Sequence, residues 1–148
     1  MKNKTPQEYD RMVKRVSPPS PVLKNCLLAF LTGGGICTLG QALCNLYQNF
    51  GAAEKDARTW VSVTLIFLSA AVTALGKYDN LAKHAGAGTL VPITGFANSV
   101  VSPALEFKSE GFILGVGAKM FTIAGPVIVY GVSASVVYGL IYWITTLI

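Results

Sequence analysis

Apolar residues fall in long blocks along this chain, and polar residues gather between the blocks. The first block runs from about residue 22 to residue 50, which is 29 residues. About 20 residues cross a bilayer's hydrocarbon at 1.5 Å each, so the pattern predicts a helix that is tilted or reaches past the bilayer. Gly33-Gly34-Gly35 weaken it but permit close approach by a neighbour. Gln41 lies near its middle, and an unpaired amide in lipid is costly, so this side chain is expected to face protein or water. A polar connector at 51–58 precedes a second span at about 59–76. Within it Ser69, Thr73 and Gly76 fall at i, i+4 and i+7, with Ala70 and Ala74 beside them, a stripe suited to helix packing. A last span is predicted at 126–147, with Pro126 as its first helical residue. Gly131, Ser135 and Gly139 give it a small-residue face, and Tyr138, Tyr142 and Trp143 suit an interfacial aromatic belt.

The stretch between these spans, 85–125, departs from the pattern. Gly86, Gly88, Pro92, Gly95 and Pro103 interrupt an otherwise apolar run that also carries Thr89, Thr94, Asn98, Ser99 and Ser102. Irregular backbone survives at membrane depth only where protein or a water-lined cavity satisfies its N–H and C=O groups. A broken or re-entrant element is therefore expected. Glu106, Lys108 and Glu110 follow as a charged elbow, then a short helix at 111–121 bearing Lys119, then a second break at Gly125-Pro126. Two Gly-rich segments, Gly86–Gly95 and Gly115–Gly125, are faintly alike, as paired broken segments around a binding site can be. Chance matches among Gly, Ala and Val give the same likeness. The fold class read from the pattern is an all-α integral membrane protein with about three transmembrane helices plus a Gly/Pro-broken re-entrant central segment. It divides into a polar leader, 1–21, and a membrane domain, 22–148.

Composition agrees with this reading. Hydrophobic residues make up 52% of the chain and charged residues 13%, against roughly 25% charged in soluble domains. No charge follows Lys119 in the last 29 residues. The net charge of +5 could suggest nucleic acid, but Lys2, Lys4, Arg11, Lys14, Arg15 and Lys24 cluster beside the first apolar block. There they read as a positive-inside signal, with attraction to anionic headgroups as a second effect. The expectation is a multi-pass cell-membrane protein with a cytoplasmic N-terminus and no nucleic-acid partner. The leader, long and polar with Pro6, Pro18, Pro19 and Pro21, does not have the build of a signal peptide. A short amphipathic turn is expected around Tyr9 to Val16.

Candidate chemistry is sparse. Cys26, Cys37 and Cys44 are odd in number, contain no CxxC pair and fall near one helix face, so they read as small apolar packing residues. His84 lies in a polar loop beside Lys83 and reads as a surface residue. Gly115-Val-Gly117-Ala-Lys119 lacks the spacing and the Ser/Thr of a phosphate loop. The elbow of Glu106, Lys108 and Glu110 offers too few oxygens for calcium, which takes six to eight. A gate, a partner contact or a solvated loop remains open to it. No nucleophile–base–acid set, metal cluster or cofactor motif is expected, which disfavours an enzyme.

Three runs of residues resemble a known family: Ala29-Phe-Leu-Thr-Gly-Gly-Gly-Ile-Cys-Thr-Leu-Gly-Gln41, Gly86-Ala-Gly-Thr-Leu-Val-Pro-Ile-Thr-Gly-Phe-Ala-Asn-Ser99 and Glu106-Phe-Lys-Ser-Glu-Gly111. Together they are similar to the stage V sporulation AC/AEb family of spore membrane proteins, over most of the chain from about Lys14. The resemblance implies a role in endospore-forming bacteria, in the machinery that moves dipicolinic acid with calcium across the spore inner membrane in sporulation and germination. It implies a channel component, with mechanosensitive behaviour suggested, and other spore membrane proteins of the same operon as partners. A homo- or hetero-oligomer is expected, because the chain is too small to enclose a wide pore alone. A non-conducting scaffold that assembles or stabilises those partners is the alternative.

The family supplies no ligand-binding residues, so the candidates rest on physical inference. Broken-helix N-termini favour anions, which points to the Gly86/Gly88 turn and the Thr94-Gly95 break, with Asn98 and Ser99 as hydrogen-bonding side chains and Gln41, facing protein or water, as a further candidate. The same residues could instead serve only tight helix packing. Lys119 either lies within the membrane as a functional charge or snorkels to its surface.

Overall fold

The computed structural model describes residues 5–17 and 20–147; all of its regular structure there is helical. Helix α1 covers Pro6–Val16, α2 Val22–Asn49, α3 Glu54–Ala74, α4 Tyr78–Ala85, α5 Ala87–Leu90 and α6 Ile93–Glu106. A 3-10 turn at Lys108–Glu110 and a π-helical turn at Phe112–Gly117 lead into α7, Phe121–Leu147. Three stretches are long and apolar enough to cross a membrane: Val22–Asn49, Glu54–Ala74 and Phe112–Leu147.

α3 starts in the segment expected to be a connector. Glu54 and Asp56 occupy its first turn, where negative charge complements the helix dipole. Arg58 closes an i,i+4 pair with Glu54 at 2.6 Å, and Ala57, fully buried, seats that first turn against the body. Pro126 is not the start of the last helix. α7 begins five residues earlier and carries Pro126 inside it. Proline there removes only the N–H that would bond the Thr122 carbonyl, and membrane helices tolerate such an interruption. The short helix expected at 111–121 is a π-helical turn running almost directly into α7.

The central stretch, 85–125, is interrupted: α5 has 4 residues and α6 has 14, and the eight-residue α4 leads into them. α6, the longest, is about 21 Å at 1.5 Å per residue, short of a hydrocarbon core about 30 Å thick. Gly86, with φ +51° and ψ −125°, forms the corner between α4 and α5. That left-handed backbone is open to glycine and strained for other residues.

The core is built from small side chains. Ala57, Ala85, Ala97 and Ala124, with Gly88, Gly95, Gly115, Ser69, Thr89 and Thr94, are buried, Leu65 and Tyr78 are the large side chains among them, and most Leu, Ile, Val and Phe side chains cover the outside. This inverts a soluble core. Lipid supplies no hydrophobic drive between helices, so small residues that admit close backbone contact hold the bundle. α6 packs along α3, and α2 lies against α3, α4 and α5. Of the three cysteines, only Cys44 packs inside; Cys26 and Cys37 lie on the outer surface of α2, contrary to their expected packing role.

Candidate functional site

The break between α5 and α6 leaves the Thr89 carbonyl outside any helix ladder, and side chains from neighbouring helices bond it and the first turns of α6. Thr89, fully buried, has its carbonyl bonded by the Tyr78 hydroxyl at 2.8 Å, and its own hydroxyl donates to the Gly86 carbonyl at 3.1 Å. Ser69 of α3 donates to the Thr94 carbonyl at 2.6 Å, and Thr73 donates to Asn98 Oδ1 at 2.9 Å. The small stripe on α3 therefore packs and also hydrogen-bonds. Ser99 donates to the Phe96 carbonyl of its own helix at 2.7 Å. The Thr94 hydroxyl is buried without a partner.

Two of the candidate glycines, Gly88 and Gly95, are points of close backbone contact. A side-chain carbon at Gly88 would overlap Thr32 Oγ1 and the Ala29 carbonyl of α2. One at Gly95 would overlap the carbonyls of Thr89 and Leu90. Thus Gly88, Thr94, Gly95 and Asn98 are drawn together as the joint between α2, α3, α5 and α6. Gly86 stays exposed at the α4–α5 corner, and Ser99 is half-buried.

Gln41 lies apart from that joint. On α2 the residues Thr38, Gln41, Asn45 and Gln48 share one face, all exposed. Gln41 donates to Asn45 Oδ1 at 2.8 Å, and Thr38 to the Gly34 carbonyl at 2.8 Å. This polar face ends at an open cleft of about 300 Å³ between α2 and α3, lined by Gln41, Cys44, Gln48, Glu54 and Arg58 with Gly40 and Val61. Sequence reasoning singled out Gln41 and missed its neighbours, because Glu54 and Arg58 had been assigned to a connector. Their i,i+4 spacing was the available signal.

Lys119 is partly buried, with Nζ 4.4 Å from the centre of the Phe107 ring, a cation–π contact that holds it beside the elbow. Glu106, Lys108 and Glu110 are exposed, and no ion pair joins them. His84, also exposed, bonds the Asn80 carbonyl through Nδ1 at 2.9 Å. Among the described residues, no group of three His, Cys, Asp or Glu is placed to hold a metal ion.

Comparison with known proteins agrees with the motifs. The model of the SpoVAC/SpoVAEB sporulation membrane protein family matches residues 25–141. Stage V sporulation protein AC of Bacillus subtilis (strain 168) is 49% identical over 136 residues, covering 91% of this chain and 91% of the relative. No solved structure matches the chain. A small-residue helical body with three membrane-length helices, the matched family region and near-full-length similarity converge: the chain belongs to the SpoVAC/SpoVAEB family of sporulation membrane proteins.

Proposed function

We propose that this protein is a subunit of a multi-pass channel assembly that moves a small anionic solute across the spore inner membrane. By resemblance to its family the solute is dipicolinic acid with calcium; the basic leader, read by the positive-inside rule, puts the N-terminus on the cytoplasmic side. The observation carrying this reading is the polar face Thr38–Gln41–Asn45–Gln48 on a membrane-length helix, continued by Arg58 at the cleft. Uncompensated amides in hydrocarbon cost several kcal/mol each, so that face belongs against water or a polar partner. A row of amides offers hydrogen-bond donors to a carboxylate, and the Arg58 guanidinium, paired with Glu54 at 2.6 Å, keeps further N–H donors beside them. The joint of Gly88, Thr94, Gly95 and Asn98 serves as the brace that fixes α2, and the elbow and Lys119 lie away from it, past the C-terminal end of α6. Membrane tension acts on such a body by changing the tilt of α2 against that brace.

Purified protein in liposomes, alone and with its operon partners, tests the proposal through dipicolinate release under hypo-osmotic shock. Flux at the empty-vesicle level in every combination would contradict it. A non-conducting scaffold is the second reading. It is favoured by α7, exposed throughout from Pro126 to Leu147 and presenting Gly131, Ser135 and Gly139 to something outside this chain. That reading predicts loss of partner proteins on deletion, with no permeability change from this protein alone.

A further inference from the structure

The leader carries a second structure beside the orientation signal. α1 is specified locally: Thr5 and Glu8 form a reciprocal capping box, Pro6 occupies the first turn, and Lys14 and Arg15 lie in the last. Its apolar residues Tyr9, Met12, Val13 and Val16 fall at i, i+3, i+4 and i+7, one stripe. That stripe is open, with Tyr9 65% and Val16 80% exposed. Gln7, Asp10, Arg11 and Lys14 lie on the other side, Lys14 and Asp10 paired at 2.7 Å. An isolated helix of fewer than about 12–15 residues is marginal in water, so 11 residues with an uncovered apolar stripe need a surface to lie on.

We propose that α1 lies flat in the headgroup layer of an anionic membrane, Tyr9, Val13 and Val16 inserted and its cations on lipid phosphates. Two further observations select lipid as the occupant. Residues 17–21 are five in number, and a chain reaches at most about 3.3–3.6 Å per residue. α1 is thereby tethered close to the point where α2 meets the bilayer. The first 24 residues hold six bases and two acids, a net of +4 in a chain whose total is +5. Each cation near an anionic surface raises partitioning roughly fivefold. An apolar stripe joined to a cationic leader is the two-part pattern of an interfacial anchor.

The test uses full-length protein with Cys26, Cys37 and Cys44 replaced by alanine and a single nitroxide at Val13→Cys or Gln7→Cys. Power-saturation EPR against oxygen and an aqueous nickel chelate gives label depth in reconstituted vesicles. In vesicles containing phosphatidylglycerol, the Val13 label should sit about 5–10 Å below the phosphates and the Gln7 label on the aqueous side. Pure phosphatidylcholine, or Arg11→Glu with Arg15→Glu, should move the Val13 label outward. Both labels in water on anionic vesicles would overturn the proposal. So would a Val13 label closed to oxygen and nickel alike, which would mean burial against protein, or an unchanged depth on neutral lipid.

Discussion

The interrupted pieces α4–α6 and the last helix α7 satisfy their backbones by opposite means. α7 is long, regular and uncharged, satisfies its interior backbone apart from the Thr122 carbonyl opposite Pro126, and is exposed from Pro126 to Leu147. α4–α6 are short and interrupted, and depend on Tyr78, Ser69 and Thr73 for hydrogen bonds and on Gly88 and Gly95 for contact with neighbouring backbone. A helix that closes its own hydrogen bonds can face lipid or a partner. A broken one must be held by its own protein. Sensitivity to substitution should therefore be concentrated in the centre and weak, for folding, in α7.

The largest effect is expected at the two contact glycines. Gly88→Ala or Gly95→Ala drives a carbon into fixed carbonyls, and overpacking of this kind costs about 1–3 kcal/mol. Thermal or SDS unfolding in detergent measures it. The same change at Gly131, where a side-chain carbon meets nothing, should leave unfolding within about 0.5 kcal/mol of the parent. Equal losses at both positions would erase the contrast.

Tyr78→Phe comes next. It leaves the Thr89 carbonyl without its donor in a buried setting, a loss of about 1–3 kcal/mol by the usual penalty for an orphaned group. Ser69→Ala removes the bond to the Thr94 carbonyl and is expected to cost about 0.6 kcal/mol and at most about 1.7 kcal/mol, the average and maximum for hydrogen bonds between membrane helices. Gly139→Leu should be the mildest for folding, since among the described residues nothing lies within 4 Å of a side-chain carbon there. Its effect belongs to assembly, read as loss of co-purifying partners.

The spans and the interrupted centre were legible in the sequence because they depend on long apolar runs and on glycine and proline, whose backbone effects are local. The start of α3 was harder. Glu54, Asp56 and Arg58 look like a loop until they are seen as a charged first turn. Pro126 misled for the opposite reason: its local rule favours a helix start, whereas a helix already begun can carry it. The functions of Thr94, Gly95 and Asn98 could not be read from their positions. Polar side chains and glycines at a break suit a solute or a neighbouring helix equally, and only the placement of α3 beside α6 shows which groups they meet. Gln41 was visible as a polar residue in an apolar run, but the cleft it shares with Arg58 depends on the turn between α2 and α3.

The central claim is that α2's polar face borders water while the joint behind it is closed. Thiol accessibility in the assembled complex tests this most directly, with the native cysteines replaced and single cysteines placed at Gln41, Asn45 or Thr94. A membrane-impermeant reagent should label Gln41→Cys and Asn45→Cys and spare Thr94→Cys. Labelling at Thr94→Cys with none at the two α2 positions would contradict the account.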